Sequence, residues 1–140
     1  MRHALVKAMV LVVALGVVAA GCSKSGSEGS SGGGTMTIGS DTANDHGTKD
    51  VSGKDEFELE LDNFYFSPTV LKGTAGQQLK LELTNEASTL HNFTVQDQDV
   101  EQDVKPGEKE EVTVTFPQSG ILEFFCEYHK SKGMVGELSV

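Results

Sequence analysis

The C-terminal stretch of residues 124–134 reads FFCEYHKSKGM and places Cys126, His129 and Met134 in one short loop between two runs that are typical of strands. Thiolate and thioether groups are soft metal ligands and imidazole is borderline, a set that suits copper better than the hard divalent ions. One further histidine in the C-terminal half, His91, lies in the sequence LHNF. Two His, one Cys and a weakly bound Met form the ligand set of a blue-copper electron-transfer site. These four residues are therefore predicted to hold a metal ion.

The sequence on both sides of this loop alternates between apolar and polar residues, which is the period of a half-buried strand. The alternation is clearest in residues 57–61, 79–83, 112–116 and 122–126. Turn residues such as Pro106-Gly107 separate these runs, and no helical period accompanies them. Short strands at this spacing predict an all-β fold, a two-sheet Greek-key antiparallel sandwich that spans residues 56–140.

This half of the chain resembles the cupredoxin family and, within it, the plastocyanin-like members. The matching elements are His91-Asn92, the pattern Cys-x2-His-x4-Met in residues 126–134, and the closing run GMVGELSV in residues 133–140. Tyr128 stands where plastocyanins often carry proline. The resemblance covers residues 56–140 and implies a cupredoxin-like copper-binding domain.

The resemblance also implies a role for each matching residue. One copper ion, Cu(I) or Cu(II), would be held by Cys126, His91 and His129 in a plane, with Met134 as the weak axial ligand. The backbone N–H of Asn92 would donate a hydrogen bond to the Cys sulfur. Protein ligands that fill the coordination sphere leave no open position for a substrate. The predicted function is therefore a one-electron carrier without catalytic residues, and not an enzyme.

Simpler interpretations of the same residues are possible. Cys126 alone could be a buried core cysteine, His129 a surface histidine and Met134 a core filler, although the spacing argues against all three together. Structural zinc sites usually contain more than one Cys. A binuclear copper centre needs a second Cys, which residues 127–130 do not offer. A copper-binding module for delivery or resistance would use the same ligands and is the alternative function.

The composition restricts the partners. Eleven basic and 21 acidic residues give a formal charge of −10, which excludes binding to nucleic acid or to an anionic membrane surface by charge. We expect a monomer and a redox partner with a basic face, such as a cytochrome or an oxidase. The predicted exits for the electron are His129 and, as a second route, Phe125. The acidic residues that could steer such a partner are Asp97, Asp99, Glu101 and Asp103.

The N-terminal residues predict export and anchoring. Residues 1–21 combine a basic start with an apolar run that is short for a membrane span, and small residues precede Cys22. This end resembles a bacterial lipobox and implies a lipoprotein signal peptide with a lipid on Cys22; the alternative is a secretory signal with an incidental Cys. Residues 22–55 are Gly/Ser-rich and polar, which predicts a flexible linker. His46 within it is expected to be solvated, and the less favoured alternative is that it folds back near the site. The expected location is extracytoplasmic, on a lipid anchor in the bacterial cell membrane, in the periplasm or at the cell surface.

Overall fold

The structure is a computed structural model that describes residues 33–140. Its strands are β1 (Gly34–Ile38), β2 (Asp41–Asp45), β3 (Thr48–Asp50), β4 (Glu56–Asp62), β5 (Tyr65–Ser67), β6 (Val70–Lys72), β7 (Gln78–Asn85), β8 (His91–Val95), β9 (Val100–Val104), β10 (Lys109–Thr115), β11 (Ile121–Phe125) and β12 (Val135–Ser139). Two short 3-10 helices span Gln96–Gln98 and Lys130–Lys132. Within residues 33–140, no helix has the length and apolar character needed to cross a membrane.

The strands form two main sheets and a separate hairpin. The four-stranded sheet has the order β10-β7-β4-β5, the six-stranded sheet has the order β3-β6-β12-β11-β8-β9, and β1 pairs with β2. The predicted all-β sandwich is confirmed. The pairs β4–β7, β3–β6 and β6–β12 are parallel, so both sheets are mixed and not wholly antiparallel. The parallel strands β4 and β7 each have one side toward the core and one toward solvent, so their alternation does not reveal the direction of their pairing.

Apolar residues of the predicted alternating runs fill the space between the sheets. Both sheets contribute almost fully buried side chains to one cluster, among them Leu59, Leu81, Val114, Phe124 and Leu138. Burying one such side chain stabilises the fold by about 1.5–3 kcal/mol. Cys126 and Met134 belong to the same cluster. The ligand loop, residues 126–134, is thus anchored in the core at both of its ends.

Three phenylalanines pack together between the two sheets, one each from β5, β8 and β11. The ring centroid of Phe124 lies 5.0 Å from those of Phe66 and Phe93, and the latter two are 6.0 Å apart. Edge-to-face and tilted aromatic pairs at these distances are favourable beyond the area they bury. Phe93 is two residues from His91 and Phe124 is two residues from Cys126, so this packing fixes the two strands that supply potential ligands.

The folded domain begins earlier in the chain than predicted. Strands β1, β2 and β3 lie before residue 56, and Ile38, Ala43 and Val51 are fully buried. The prediction of a flexible linker is therefore wrong for residues 34–55. These strands contain few apolar residues and are stabilised by tertiary contacts, such as those of Ile38 with Val135. The predicted signal peptide, Cys22 and the first part of the predicted linker lie outside the described residues.

His46 is half-buried and packs on the domain, which corresponds to the less favoured of its two expected placements. Its half-buried ring stacks on Tyr65 with the centroids 3.4 Å apart and the planes 8° apart. Its backbone N–H donates to Oγ1 of Thr69 at 2.7 Å. Tyr65 is the neighbour of Phe64, whose ring packs against His129. The segment before residue 56 therefore folds back toward the ligand loop.

Candidate metal centre

Three potential ligand atoms converge at one end of the sandwich. His91 begins β8, Cys126 follows the last residue of β11, and His129 precedes the second 3-10 helix. The Nδ1 atoms of the two histidines are 3.1 Å apart. Sγ of Cys126 lies 3.5 Å from Nδ1 of His129 and 3.9 Å from Nδ1 of His91. The three donor atoms lie within 4.8 Å of one another and are placed to hold a metal ion.

Both histidines are held in the form that binds metals. The pKa of His91 is lowered to about 4, mainly because burial disfavours the imidazolium cation and secondly because His129 is close by. Desolvation lowers the pKa of His129 too, and the positive charge of Lys132 acts in the same direction. A neutral imidazole offers a lone pair to a metal ion, whereas the imidazolium cation offers none.

The low pKa of His91 predicts that the metal-free protein is less stable in mild acid. Because this pKa lies below the value of about 6.5 in the unfolded chain, the unfolded state takes up the proton first, and stability falls as the pH drops from about 6.5 toward 4. Between about pH 7 and pH 5 this one residue should reduce the free energy of unfolding by roughly 2 kcal/mol. Urea unfolding of the metal-free protein at both pH values measures the loss. His91→Gln should make the loss smaller, and an equal loss in this variant would contradict the assignment.

The Cys126 sulfur accepts a hydrogen bond from the backbone N–H of Asn92 at 3.4 Å. Burial raises the pKa of the Cys126 thiol, and hydrogen bonds from the backbone of Asn92, Tyr128 and His129 partly oppose this rise. Metals bind the thiolate and not the thiol. A metal ion that binds here therefore displaces the thiol proton, which makes the affinity depend on pH.

The side chain of Asn92 ties β8 to the ligand loop. Asn92 is fully buried. Its Oδ1 accepts the backbone N–H of Glu127 at 2.8 Å, and its Nδ2 donates to Oε2 of Glu127 at 3.2 Å. The family resemblance implied a role only for the backbone N–H of Asn92. This second role holds the strand of His91 and the loop of Cys126 in register.

Met134 lies at the end of the ligand loop and is fully buried. Its carbonyl oxygen accepts the N–H of Cys126 at 3.0 Å, and its N–H donates to the carbonyl oxygen of His129 at 3.3 Å. These bonds close the base of the loop and bring the backbones of the three residues together. Its thioether is a soft donor like the Cys126 thiolate.

The side chains of Phe64 and Lys132 lie near His129, although neither was a candidate site residue from the sequence. The ring of Phe64 lies 4.6 Å from that of His129 and 6.2 Å from that of His91, measured between centroids. Nζ of Lys132 lies 4.7 Å from the centroid of the Phe64 ring. Tyr128, which stands where plastocyanins often carry proline, is 49% exposed. Phe64 is far from the ligands in sequence and belongs to no local motif, so no sequence signal could have identified it.

Phe125, the second predicted exit, lies outside the main core and packs against a smaller buried cluster of Ile38, Ala43 and Val135. Nζ of Lys130 lies 4.3 Å from the centroid of its half-buried ring. A surface groove beside Phe125 has acidic lining residues, Asp99, Glu101 and Glu127. Two of the acidic residues named from the sequence therefore flank Phe125. A third, Asp103, accepts a hydrogen bond from the Tyr128 hydroxyl at 2.9 Å.

The donor set fits a soft or borderline metal ion. One thiolate and two imidazoles suit copper and zinc, whereas magnesium and calcium prefer oxygen donors. Nε2 of His91 is buried without a hydrogen-bond partner among the described residues. A proton on this nitrogen leaves the lone pair of Nδ1 directed toward the other two donors. The residues present can thus supply three donor atoms to one ion without rearrangement of the fold.

Comparison with known families agrees with this arrangement. A family model described as a cupredoxin-like domain matches residues 12–140. No curated protein matches the chain in sequence. The match includes both histidines, the cysteine and the methionine discussed above, since all four lie inside the matched residues.

Solved structures of distant relatives share the fold. A chain of a heme-copper terminal oxidase dimer has a TM-score of 0.53 at 18% identity, covering 63% of this chain and 65% of the oxidase chain, so this chain spans just under two thirds of that length. The metal-binding domain of the Cu(I)-exporting P-type ATPase CopA of Streptococcus pneumoniae D39 has a TM-score of 0.54 at 12% identity, with coverages of 66% and 95%. Auracyanin A, a blue copper protein from Chloroflexus aurantiacus, has a TM-score of 0.50 at 20% identity, with coverages of 66% and 99%. At these identities the likeness shows the fold alone.

Proposed function

The chain belongs to the cupredoxin-like family, and we propose that it is a type 1 copper protein that carries single electrons outside the cytoplasm. Cys126, His91 and His129 hold one copper ion in this proposal, and Met134 is the weak axial ligand. A bound copper ion supplies a one-electron couple between Cu(I) and Cu(II). The observation that carries the proposal is the triangle of one Sγ and two Nδ1 atoms with sides of 3.1, 3.5 and 3.9 Å.

The protein's own contribution is to keep these donor atoms in place. Asn92 joins β8 to the ligand loop through its side chain, and the backbone bonds between Cys126 and Met134 close the base of the loop. Ligands supported by packing and hydrogen bonds change position little during a reaction. Small movement between the two oxidation states favours fast electron transfer, which supports a carrier.

In this proposal the electron leaves through His129. The ring of this residue is half-buried, and Phe64 packs against it. The acidic groove beside Phe125 increases the rate of encounter with a redox partner that has a basic face, such as a cytochrome or an oxidase. Phe125 itself is a second route, in contact with Lys130. Four protein ligands leave no open position for a substrate, so the proposed role is that of a carrier and not of an enzyme.

We further propose that the mature protein is a monomer tethered outside the cytoplasm. Residues 1–21 act as a lipoprotein signal peptide, and Cys22 carries the lipid. This division rests on the sequence pattern before Cys22. Stable attachment to a membrane takes more than one acyl chain, as in a diacylated cysteine.

Copper delivery or resistance is the second candidate function. The observation that favours it is the likeness to the metal-binding domain of a Cu(I)-exporting ATPase, whose TM-score of 0.54 is slightly above that of auracyanin A. A delivery protein releases its ion to an acceptor, whereas a carrier keeps it in both oxidation states.

Repeated oxidation and reduction of the copper-loaded protein separates the two functions. We expect the protein to cycle many times between Cu(I) and Cu(II) without loss of copper, because the ligands are held by the core. Stopped-flow spectroscopy measures electron transfer, and gel filtration with a metal-free copper acceptor measures release of the ion. Transfer of Cu(I) to the acceptor faster than electron exchange would favour delivery. A colourless protein at full Cu(II) occupancy would contradict both the ligand set and the carrier role.

Electron transfer to a basic and a neutral acceptor identifies the residue through which the electron leaves. Electron transfer to a basic acceptor should become about tenfold slower or more from low to high ionic strength, whereas transfer to a neutral acceptor should change little. Phe125→Leu should leave both rates unchanged if the electron leaves through His129. A tenfold loss with both acceptors, at an unchanged copper spectrum, would assign the exit to Phe125 instead.

A further inference from the structure

We propose that Asn44 is a positioning residue for the metal ligands His129 and Met134. Asn44 lies in the N-terminal hairpin, which consists of β1 and β2 (residues 34–45) and belongs to neither main sheet. The inference rests on the proposed ligand set, because it concerns the loop that carries both of these ligands. It assigns a function to a segment whose sequence is typical of a linker.

Asn44 hydrogen-bonds three backbone carbonyl groups close to the ligands. Its side-chain Nδ2 donates to the carbonyl oxygens of Phe64 and Lys132, each at 2.9 Å. Its backbone N–H donates to the carbonyl oxygen of Gly133 at 2.9 Å. The carboxamide nitrogen carries two hydrogens and thus serves both side-chain acceptors. Two of the three acceptors lie in the ligand loop between His129 and Met134.

The conformation of Gly133 and its missing side chain both allow this contact with Asn44. Its φ angle is +88°, in the region that favours glycine. A Cβ atom at this position would lie 2.9 Å from Nδ2 of Asn44, which is closer than real side chains approach. At Gly133 the loop backbone therefore lies closer to Asn44 than a residue with a side chain could. The contact is part of the shape of the loop and not an incidental surface bond.

The hairpin also holds the start of the short helix that follows His129. Nζ of Lys130 lies 3.2 Å from Oδ2 of Asp41 and 2.6 Å from Oε1 of Glu123. The 3-10 helix Lys130–Lys132 is thus bound to the hairpin at its first residue through Asp41 and at its last residue through Asn44. The ion pair of Lys130 with Asp41 is partly exposed and contributes little to stability.

Asn44 also binds the backbone of Phe64, whose aromatic ring packs against His129. Phe64, whose carbonyl oxygen it binds, has its ring centroid 4.6 Å from that of His129. One side chain therefore connects the loop that carries His129 with the ring that packs against His129. Without the Asn44 side chain, the loop and the ring would lose this connection, and the part-buried carbonyl oxygen of Phe64 would lose its donor, which favours an opened loop.

Amide hydrogen exchange of the metal-free protein tests the proposal. In Asn44→Ala, peptides from the ligand loop should exchange about tenfold faster than in the wild type, a ratio that corresponds to about 1.4 kcal/mol. The exchange rates of peptides from β7 and β10 should be unchanged, because these strands belong to the four-stranded sheet, which does not carry the ligand loop. Asn44→Asp should behave like Asn44→Ala, since a carboxylate cannot donate to carbonyl groups. Thr42→Ala, an exposed position of the same hairpin, is the matched control and should match the wild type.

The copper-loaded protein gives a second readout. A chelator should remove Cu(I) from Asn44→Ala about tenfold faster than from the wild type, and the reduction potential and the Cu(II) absorption spectrum should both shift. The Thr42→Ala control should show none of these changes. A role in stability alone would leave the potential and the spectrum of the folded protein unmoved.

An unmoved potential and spectrum in Asn44→Ala would overturn the proposal, and so would either of two results of the exchange experiment. One is loop exchange within about twofold of the wild type in both Asn44 variants, below the range of a lost hydrogen bond. The other is equally faster exchange in every strand, or loss of folding in both variants, because Asn44 would then stabilise the whole domain. Failure of the wild-type protein to bind Cu(II) with a visible band would refute the proposed function and leave the exchange result of the metal-free protein intact. The two failures are therefore distinguishable.

Discussion

Replacing Cys126 with alanine should abolish the intense visible absorption band expected of the Cu(II)-loaded protein with this ligand set. The band is a charge-transfer transition between the thiolate and copper, and Cys126 is the single cysteine of the described residues. His91 and His129 can still bind copper in the variant, but imidazoles do not produce this band. Absorption spectra at matched copper occupancy measure the effect, and the expected loss is complete.

Met134→Leu is the matched comparison for this prediction. Leucine has a similar volume and no thioether, so the core should tolerate it at a cost below about 1.5 kcal/mol. The band should persist, because the thiolate and both imidazoles remain. The reduction potential should rise, since a weak axial ligand tunes it. A visible band that survives in Cys126→Ala, or that disappears in Met134→Leu, would refute the assigned roles.

Replacing Gly136 with alanine should give the largest loss of stability of any substitution considered. Gly136 lies in β12 opposite Phe124 of β11. A Cβ atom there would overlap the ring of Phe124 and would lie 2.6 Å from the carbonyl oxygen of Thr69. This carbonyl already accepts the N–H of Glu137 at 3.0 Å and cannot move away without breaking the pairing. Overpacking usually costs about 1–3 kcal/mol, and a clash with backbone belongs at or above the upper end.

Urea unfolding of the metal-free protein measures this effect. We expect Gly136→Ala to reduce the free energy of unfolding by at least about 3 kcal/mol, and the copper site to weaken with it because Phe124 leads directly to Cys126. Gly34→Ala is the control, since nothing lies within 4 Å of a Cβ atom at that exposed strand position. It should change stability by no more than about 0.5 kcal/mol. Equal stability of the two variants would contradict the close packing of Phe124 on Gly136.

The strands of the core could be predicted because their alternation repeats in each of them. Leu79, Leu81 and Leu83 are fully buried as the pattern predicts. The place of Cys126 at the end of a strand, with His129 three residues later, also follows from the sequence. The approach of His91 to within hydrogen-bonding distance of His129 was expected from the family resemblance, and the fold produces it.

The N-terminal hairpin could not be predicted in this way. Its sequence contains Gly, Ser, Thr and Asp, which are typical of loops, and only Ile38 and Ala43 are fully buried in it. The hairpin is stabilised by packing on Val135 and by the bonds of Asn44 to the loop. Such contacts join residues far apart in the chain and leave no periodic signal, so propensity alone favoured a linker.

The amino-acid sequence by itself determined which residues are buried in the strands with clear alternation, such as β7, where the ligand loop begins and ends, and which donor types it presents. A period of two and the chemistry of Cys, His and Met are local properties, readable without knowing what packs against them. Only the tertiary structure decided the parallel pairings, the place of Phe64 over His129, and the attachment of Asn44 to the loop. These depend on how separate strands meet in space, and the same local pattern is compatible with more than one such arrangement.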